Sequence, residues 1–390
     1  MQSNRIPTPL QRRIRLLLLS FPLILLLALA VSGAAAQAES PAAAPGSNIG
    51  KVFVMTNDAA GNAVQAFSRA DDGSLSPAGT YPTGGLGSGS GLGSQGALIL
   101  SHNNRYLFVV NAGSNEISSF RVRGDELVWA DTVSSNGEKP ISLTFDGRRL
   151  YVLNAGGSGN VTGFKVQPNG ALVPIPGATQ YLSNNGVGAA PGPAQVSFTP
   201  NGRQLVVSEK GSNQLVTYNV TSDGLEPGVA HASNGQTPFG FDFARRDILI
   251  VSEAFGGAAD ASAVSSYRAG QGMLDTITAS APTEQTAACW VVVTGNGRYA
   301  YTTNTGSGSV SGYAIDRAGN LTLLDADGRT GLTGDGSSPI DAALSGHSNY
   351  LYVLNAGTAS ISAFAVQRDG SLTHLGDTAV AAGSVGIAAR

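Results

Sequence analysis

The chain is poor in charge and nearly devoid of cysteine. Asp, Glu, Lys and Arg make up 13% of its 390 residues, about half the usual share. The single cysteine, Cys289, excludes an intrachain disulfide and any site built on several thiolates. No run of lysine or arginine follows Arg15, so the basic footprint that nucleic acid requires is missing. There is no G-x-S-x-G elbow and no GK[ST] phosphate loop. Helical periodicity is absent beyond residue 38. What remains is 52 glycines, 42% hydrophobic residues and a mean hydropathy of +0.04. Such a chain buries enough apolar surface to offset its ordering entropy, so disorder is excluded. Few charges and many glycines describe short strands joined by tight turns.

Residues 1–38 hold Arg5, Arg12, Arg13 and Arg15, no acidic residue, and an apolar run from Leu16 to Val31. The run is short for a membrane span, and small residues follow it, so an export signal cleaved after Ala36 or Ala38 is expected. Removing the four arginines takes the net charge from −3 to about −7. Residues 39–50, rich in Ala and Pro, read as a flexible leader. The expected product is a mildly acidic exported monomer without a membrane anchor or a nucleic-acid partner.

Internal repetition decides the architecture of residues 51–390. An apolar strand ends in Asn or Glu, and after a polar gap a β-branched residue or Leu is followed three positions later by an aromatic. The strand-end anchors are Asn57, Asn111, Asn154, Glu209, Glu253, Asn304 and Asn355, spaced 43 to 55 residues apart. Seven turn-punctuated units of this length, each supplying four strands, are the pattern of an all-β seven-bladed β-propeller. The first unit lacks an innermost strand, and Gly383–Arg390 has the form of one, so the C-terminal strand is expected to close the ring in the first blade. The innermost hairpin is expected to turn on pairs such as Asn201 and Gly202.

Hairpin symmetry predicts the site. Residues equidistant from a turn share an edge, which pairs Gly386 with Asn57, Ala97 with Asn111, Ser142 with Asn154 and Gln195 with Glu209. It also pairs Gly240 with Glu253, Trp290 with Asn304 and Asp341 with Asn355. These positions are expected to ring one mouth of the central channel. Glu209 and Glu253, on adjacent blades, are the candidate catalytic bases, since a carboxylate works as a base when burial or a like-charged neighbour raises its pKa. Gln195, Ser142, Trp290, Asp341, Asn154, Asn304 and Asn355 are candidate substrate-binding residues. Glu209, Glu253 and Asp341 also make an all-oxygen set of the kind a hard cation such as Ca²⁺ takes, although no metal or other cofactor is expected. His102, His231, His347 and His374 are expected to lie off the channel. Cys289 reads as a small buried hydrophobe. The G-x-G-x-x-G match at Gly91–Gly96 runs into a strand, which speaks against dinucleotide binding. Loops 183–193 and 255–261 are expected to overhang the mouth.

The period, the closing strand and the segment GPAQVSFTPNGRQLVVSE, ending at Glu209, resemble the lactonase-type seven-bladed propellers, which include 6-phosphogluconolactonases and carboxymuconate lactonizing enzymes. That resemblance implies hydrolysis of a small cyclic ester, with Glu209 at the family's glutamate. Ala194 and Gln195 stand where it places an arginine and a histidine. With no arginine there, a neutral lactone is the expected small-molecule ligand. The segment LYVLN, Leu351–Asn355, is also similar to exported YVTN-repeat propellers, which implies the alternative of a non-catalytic propeller that binds a ligand or protein partner.

Overall fold

A computed structural model describes residues 50–222, 224–270 and 272–390. The signal segment and nearly all of the leader lie outside the described residues.

Seven antiparallel sheets follow one another along the chain, each built from strands consecutive in sequence except where the ring closes. Blade four is typical. Its strands Pro193–Phe198, Gln204–Glu209, Gln214–Asn219 and Val229–Ala232 pair in that order from the axis outward. In blades three and six the outermost strand is broken into two short pieces. The second strands, such as Leu205–Val207 and Leu351–Leu354, are wholly buried because both faces of each sheet are covered by neighbouring blades. This is why they read as continuous apolar runs rather than as alternating ones. Outermost strands mix half-buried and exposed residues.

The repeat's aromatics, Phe67, Phe120, Phe164, Tyr218, Tyr267, Tyr313 and Phe364, sit on third strands and are at most 2% exposed. Tyrosines of second strands tie blades together. Tyr301 of blade six donates to the carbonyl of Gly370 in blade seven at 2.8 Å, and Tyr352 of blade seven to Gly73 in blade one at 2.9 Å. Gly370 has φ +90°, and a Cβ there would lie 2.6 Å from the Tyr299 ring, so both conformation and space demand glycine.

The ring closes as expected. Val385–Ala389 pairs antiparallel with Gly50–Met55 and supplies the innermost strand of blade one. Hairpin chemistry differs in detail, because only Gly202 takes positive φ, at +69°. Asn201 instead accepts the Arg203 N–H through its side chain at 2.9 Å, which stabilises a longer turn.

Candidate binding channel

The innermost strands turn one backbone edge toward the axis, leaving N–H and C=O groups with no neighbouring strand, and such groups need partners. Side chains of the preceding blade supply them. Gln195 clasps Phe241 of blade five, accepting its N–H at 2.7 Å and donating to its carbonyl at 2.9 Å. Ser142 Oγ accepts the N–H of Val196 at 3.1 Å, and Thr144 Oγ1 that of Phe198 at 3.0 Å. Asp242 accepts the N–H of Val293 in blade six at 2.8 Å. Asp341 accepts its neighbour Ala342 N–H at 2.8 Å and the N–H of Ile387 in the closing strand. The polar residues of the wall therefore cap sheet edges.

Further edge groups are met by the glycine-rich segment between blades one and two. Gln95 reaches Val291 of blade six, donating to its carbonyl at 2.6 Å and accepting its N–H at 3.0 Å. Its own backbone N–H donates to Ala194 in blade four, and its carbonyl accepts Ser142 Oγ at 2.6 Å. Trp290 Nε1 donates to the Ser94 carbonyl at 2.9 Å. Residues 94–96 thus cross the anchor end of the channel and plug it. Gly240 makes room for this, since a Cβ there would meet Gln95 Oε1 at 2.2 Å. The end of the G-x-G-x-x-G match is consequently part of the plug, and its last glycine, Gly96 at φ +81°, brings the backbone close to Ser142 and Leu143.

The anchors do not face the residues that hairpin symmetry pairs with them. Glu209 pairs with Pro193, and Gln195 with Ser208. Asn154, Asn304 and Asn355 pair with Pro140, Ala288 and Pro339. One extra residue bulges at this point from the innermost strand of every blade but blade two. Four of these strands begin with proline, which has no N–H for the ladder, and a bulge re-aims the residue after it. Ser142, Gln195, Trp290 and Asp341 are thereby gathered at the channel, while the anchors are held between blades.

Glu209 is 0% exposed. It accepts the Ser183 N–H at 3.0 Å, the Ser183 hydroxyl and the Ser212 hydroxyl at 2.8 Å. Glu253, also 0% exposed, accepts the Gly235 N–H at 2.8 Å and the hydroxyls of Ser265 and Ser280 at 2.6 and 2.7 Å. Each carboxylate fastens its own loops, and no hydrogen bond links the two. Asn304 and Asn355 likewise donate to Ser311 and Ser362 at 2.9 and 2.8 Å, and Asn154 donates to Asn160 at 2.8 Å. Among the described residues no group of three or more His, Cys, Asp or Glu side chains is placed to hold a metal ion, so the three carboxylates do not form an all-oxygen set.

Below the plug lies a cavity of about 300 Å³, bordered by Gln95, Gln195, Asp341, Thr144, Leu98 and Ile387, with neither lysine nor arginine in its wall. Exposed His102 borders it at the turn end, which corrects the expectation that every histidine lies off the channel. Burial pushes the Asp341 carboxyl up to about 8 and that of Asp242 up to about 6, against the backbone N–H bonds that lower both. Burial also pushes the Cys289 thiol up to about 11. Asp242 and Gln95 escape sequence reasoning. The signal for Asp242 is a lone carboxylate between phenylalanines in FDF; for Gln95 there is none.

The family model of the lactonase seven-bladed β-propellers matches residues 59–181, 158–254 and 255–389. No curated protein matches the chain. Solved structures do. A candidate 6-phosphogluconolactonase from Bacteroides uniformis is 15% identical with a TM-score of 0.68, over 87% of this chain and 99% of its own. One from Bacteroides fragilis is 20% identical with a TM-score of 0.66, over 89% and 100%. The periplasmic gluconolactonase of Pseudomonas aeruginosa is 18% identical with a TM-score of 0.65, over 87% and 98%.

Proposed function

Because this chain belongs to the family of lactonase seven-bladed β-propellers, we propose that it is an exported member that binds a small uncharged ring compound, such as a lactone, in its channel without hydrolysing it. One observation carries this reading. Glu209, the residue standing at the family's glutamate, is fully buried and its oxygens are occupied by Ser183 and Ser212. Ala194 and Gln195 replace the two neighbouring groups that the resemblance implies, and Gln195 spends its amide on Phe241. The absence of lysine and arginine from the cavity wall favours a neutral ligand. Export rests on the arginines, apolar run and small residues of the first 38 positions.

Hydrolysis is a second reading, favoured by Asp341. A carboxyl pushed up to about 8 is protonated at neutral pH and can donate a proton to a leaving oxygen. Gluconolactone and a phosphorylated sugar lactone separate the readings when the thermal midpoint and acid release are both followed. Binding without hydrolysis gives a midpoint raised by the neutral lactone and acid release at the spontaneous rate. Protein-dependent acid release establishes the second reading, and an unmoved midpoint with both compounds overturns the channel as a lactone site.

A further inference from the structure

Away from the channel, the face that carries the first turn of every blade holds a concentration of arginine. At the junction of blades five and six, a cavity of about 620 Å³ is bordered by Arg245, Arg246, Arg298 and Arg317. All four are exposed, and among the described residues none takes part in an ion pair. The only carboxylate in the wall is Asp316. Its oxygens are already taken, by the N–H groups of Ala318, Gly319 and Asn320 at 2.8 to 2.9 Å and by the Asn320 amide at 2.7 Å. Asp247, beside Arg246 in the first turn of blade five, does not border the cavity.

The turn itself is unusual. Where the other hairpins place one left-handed residue, Gly147, Gly202 and Gly297 or Asn104 and Ser348, blade five places two in succession, Arg246 and Asp247 at φ +64° and +58°. Left-handed conformations cost side-chain-bearing residues energy and recur where a site needs them. Here the strain holds Arg246 at the cavity beside Arg245. On the facing blade the Arg298 guanidinium stands 5.4 Å from the centre of the Tyr299 ring, a stacking that orients its fork.

We propose that this cavity is a second site, which binds a soluble compound carrying two or more phosphate or sulfate groups. Guanidinium forks bind the oxygens of such groups in pairs. Four arginines against the one carboxylate of Asp316 leave an excess of positive charge that a singly charged anion does not balance. A volume of about 620 Å³ is that of a small-molecule pocket.

The test is calorimetric titration of the purified chain with inorganic pyrophosphate at low salt. Expected is binding of one pyrophosphate per chain, weakened about tenfold or more in Arg246→Ala/Arg317→Ala, the change that losing a charge-assisted bond brings. Arg105→Ala/Arg203→Ala, on the same face in other blades, should bind as the parent does. If the first pair fails to fold, Arg245→Gln/Arg298→Gln reads the same cavity. No heat up to about 10 mM pyrophosphate in the same low-salt buffer, or equal weakening by the control pair, overturns the site. So does sedimentation with phosphatidylglycerol vesicles that persists in excess pyrophosphate, because the anion would then be a lipid surface rather than a pocket ligand.

Discussion

The two ends of the channel are made by the same seven hairpins and differ in almost every chemical respect. At the anchor end, second strands finish in Glu209, Glu253 and five asparagines, all nearly or wholly buried, and residues 94–96 lie across the opening. At the turn end the hairpins carry exposed Arg105, Arg148, Arg203, Arg245, Arg246 and Arg298, with His102 at the cavity. One end devotes its polar groups to holding blades together, and the other leaves them to solvent. A carboxylate at a propeller mouth is therefore poor grounds for assigning a base until its oxygens have been accounted for.

The largest effect expected from breaking this arrangement is at the closure. Deleting Gly383–Arg390 uncovers the edge of Gly50–Met55 and removes the partner of Asp341, so stability should fall by several kcal/mol, on the order of losing a core element. Thermal unfolding of the truncated chain reads it, and an unchanged midpoint would contradict ring closure by this strand. Next is Glu253→Gln, which keeps the shape and replaces an acceptor oxygen with a donor facing the Ser280 hydroxyl or the Gly235 N–H. A cost of roughly 2 kcal/mol is expected for loss of buried bonds to a charged group. Denaturant unfolding checks it, and a cost near zero would free Glu253 for chemistry.

A smaller effect is tied to pH. Asp341 holds its proton up to about pH 8 when folded, whereas an unfolded aspartate releases it near 4. Between those values the folded chain binds more protons, so the contribution of Asp341 to stability falls as pH rises from about 4 to about 8 and is level above. Asp242 acts in the same direction over a narrower window. Asp341→Asn keeps an acceptor for the Ala342 N–H and removes the titration. The difference in midpoint between variant and parent should therefore shift in the variant's favour from pH 5 to pH 9, and an unvarying difference would mean that Asp341 is ionised throughout.

The ring was legible because its signal is physical and repeated. Second strands covered on both faces must be apolar, so VFVM, LFVV and LYVL stand out at a regular interval. The closing strand was legible for the same reason. The site was legible only in part. Ser142, Gln195, Trp290 and Asp341 do gather at the channel, but the register set by each turn places them against the residue before the anchor, and a bulge beyond them then sets the anchor against Pro140, Pro193, Ala288 or Pro339. Symmetry about a single turn residue misplaces the pairing by one position and takes no account of the bulge. Gln95 was invisible because its partner Val291 lies 196 residues away and a glycine-rich loop has no periodicity to reveal where it goes.

The contrast between a plugged end and an open one is most directly tested at Cys289, the only cysteine. It is 7% exposed, packs with Ala194, Phe239 and Trp290, and its carbonyl lies against the position where the Gln95 amide passes Gly240. Labelling by a neutral thiol reagent at mildly alkaline pH, corrected for the smaller thiolate fraction of the buried thiol, reports access from the anchor end. Expected is labelling at least about a hundredfold slower in the native chain than in the unfolded one, as for a thiol reached only through opening, with much of that protection lost in Gln95→Gly. Native Cys289 that labels as fast as the unfolded thiol, or protection unchanged by Gln95→Gly, would contradict the plug.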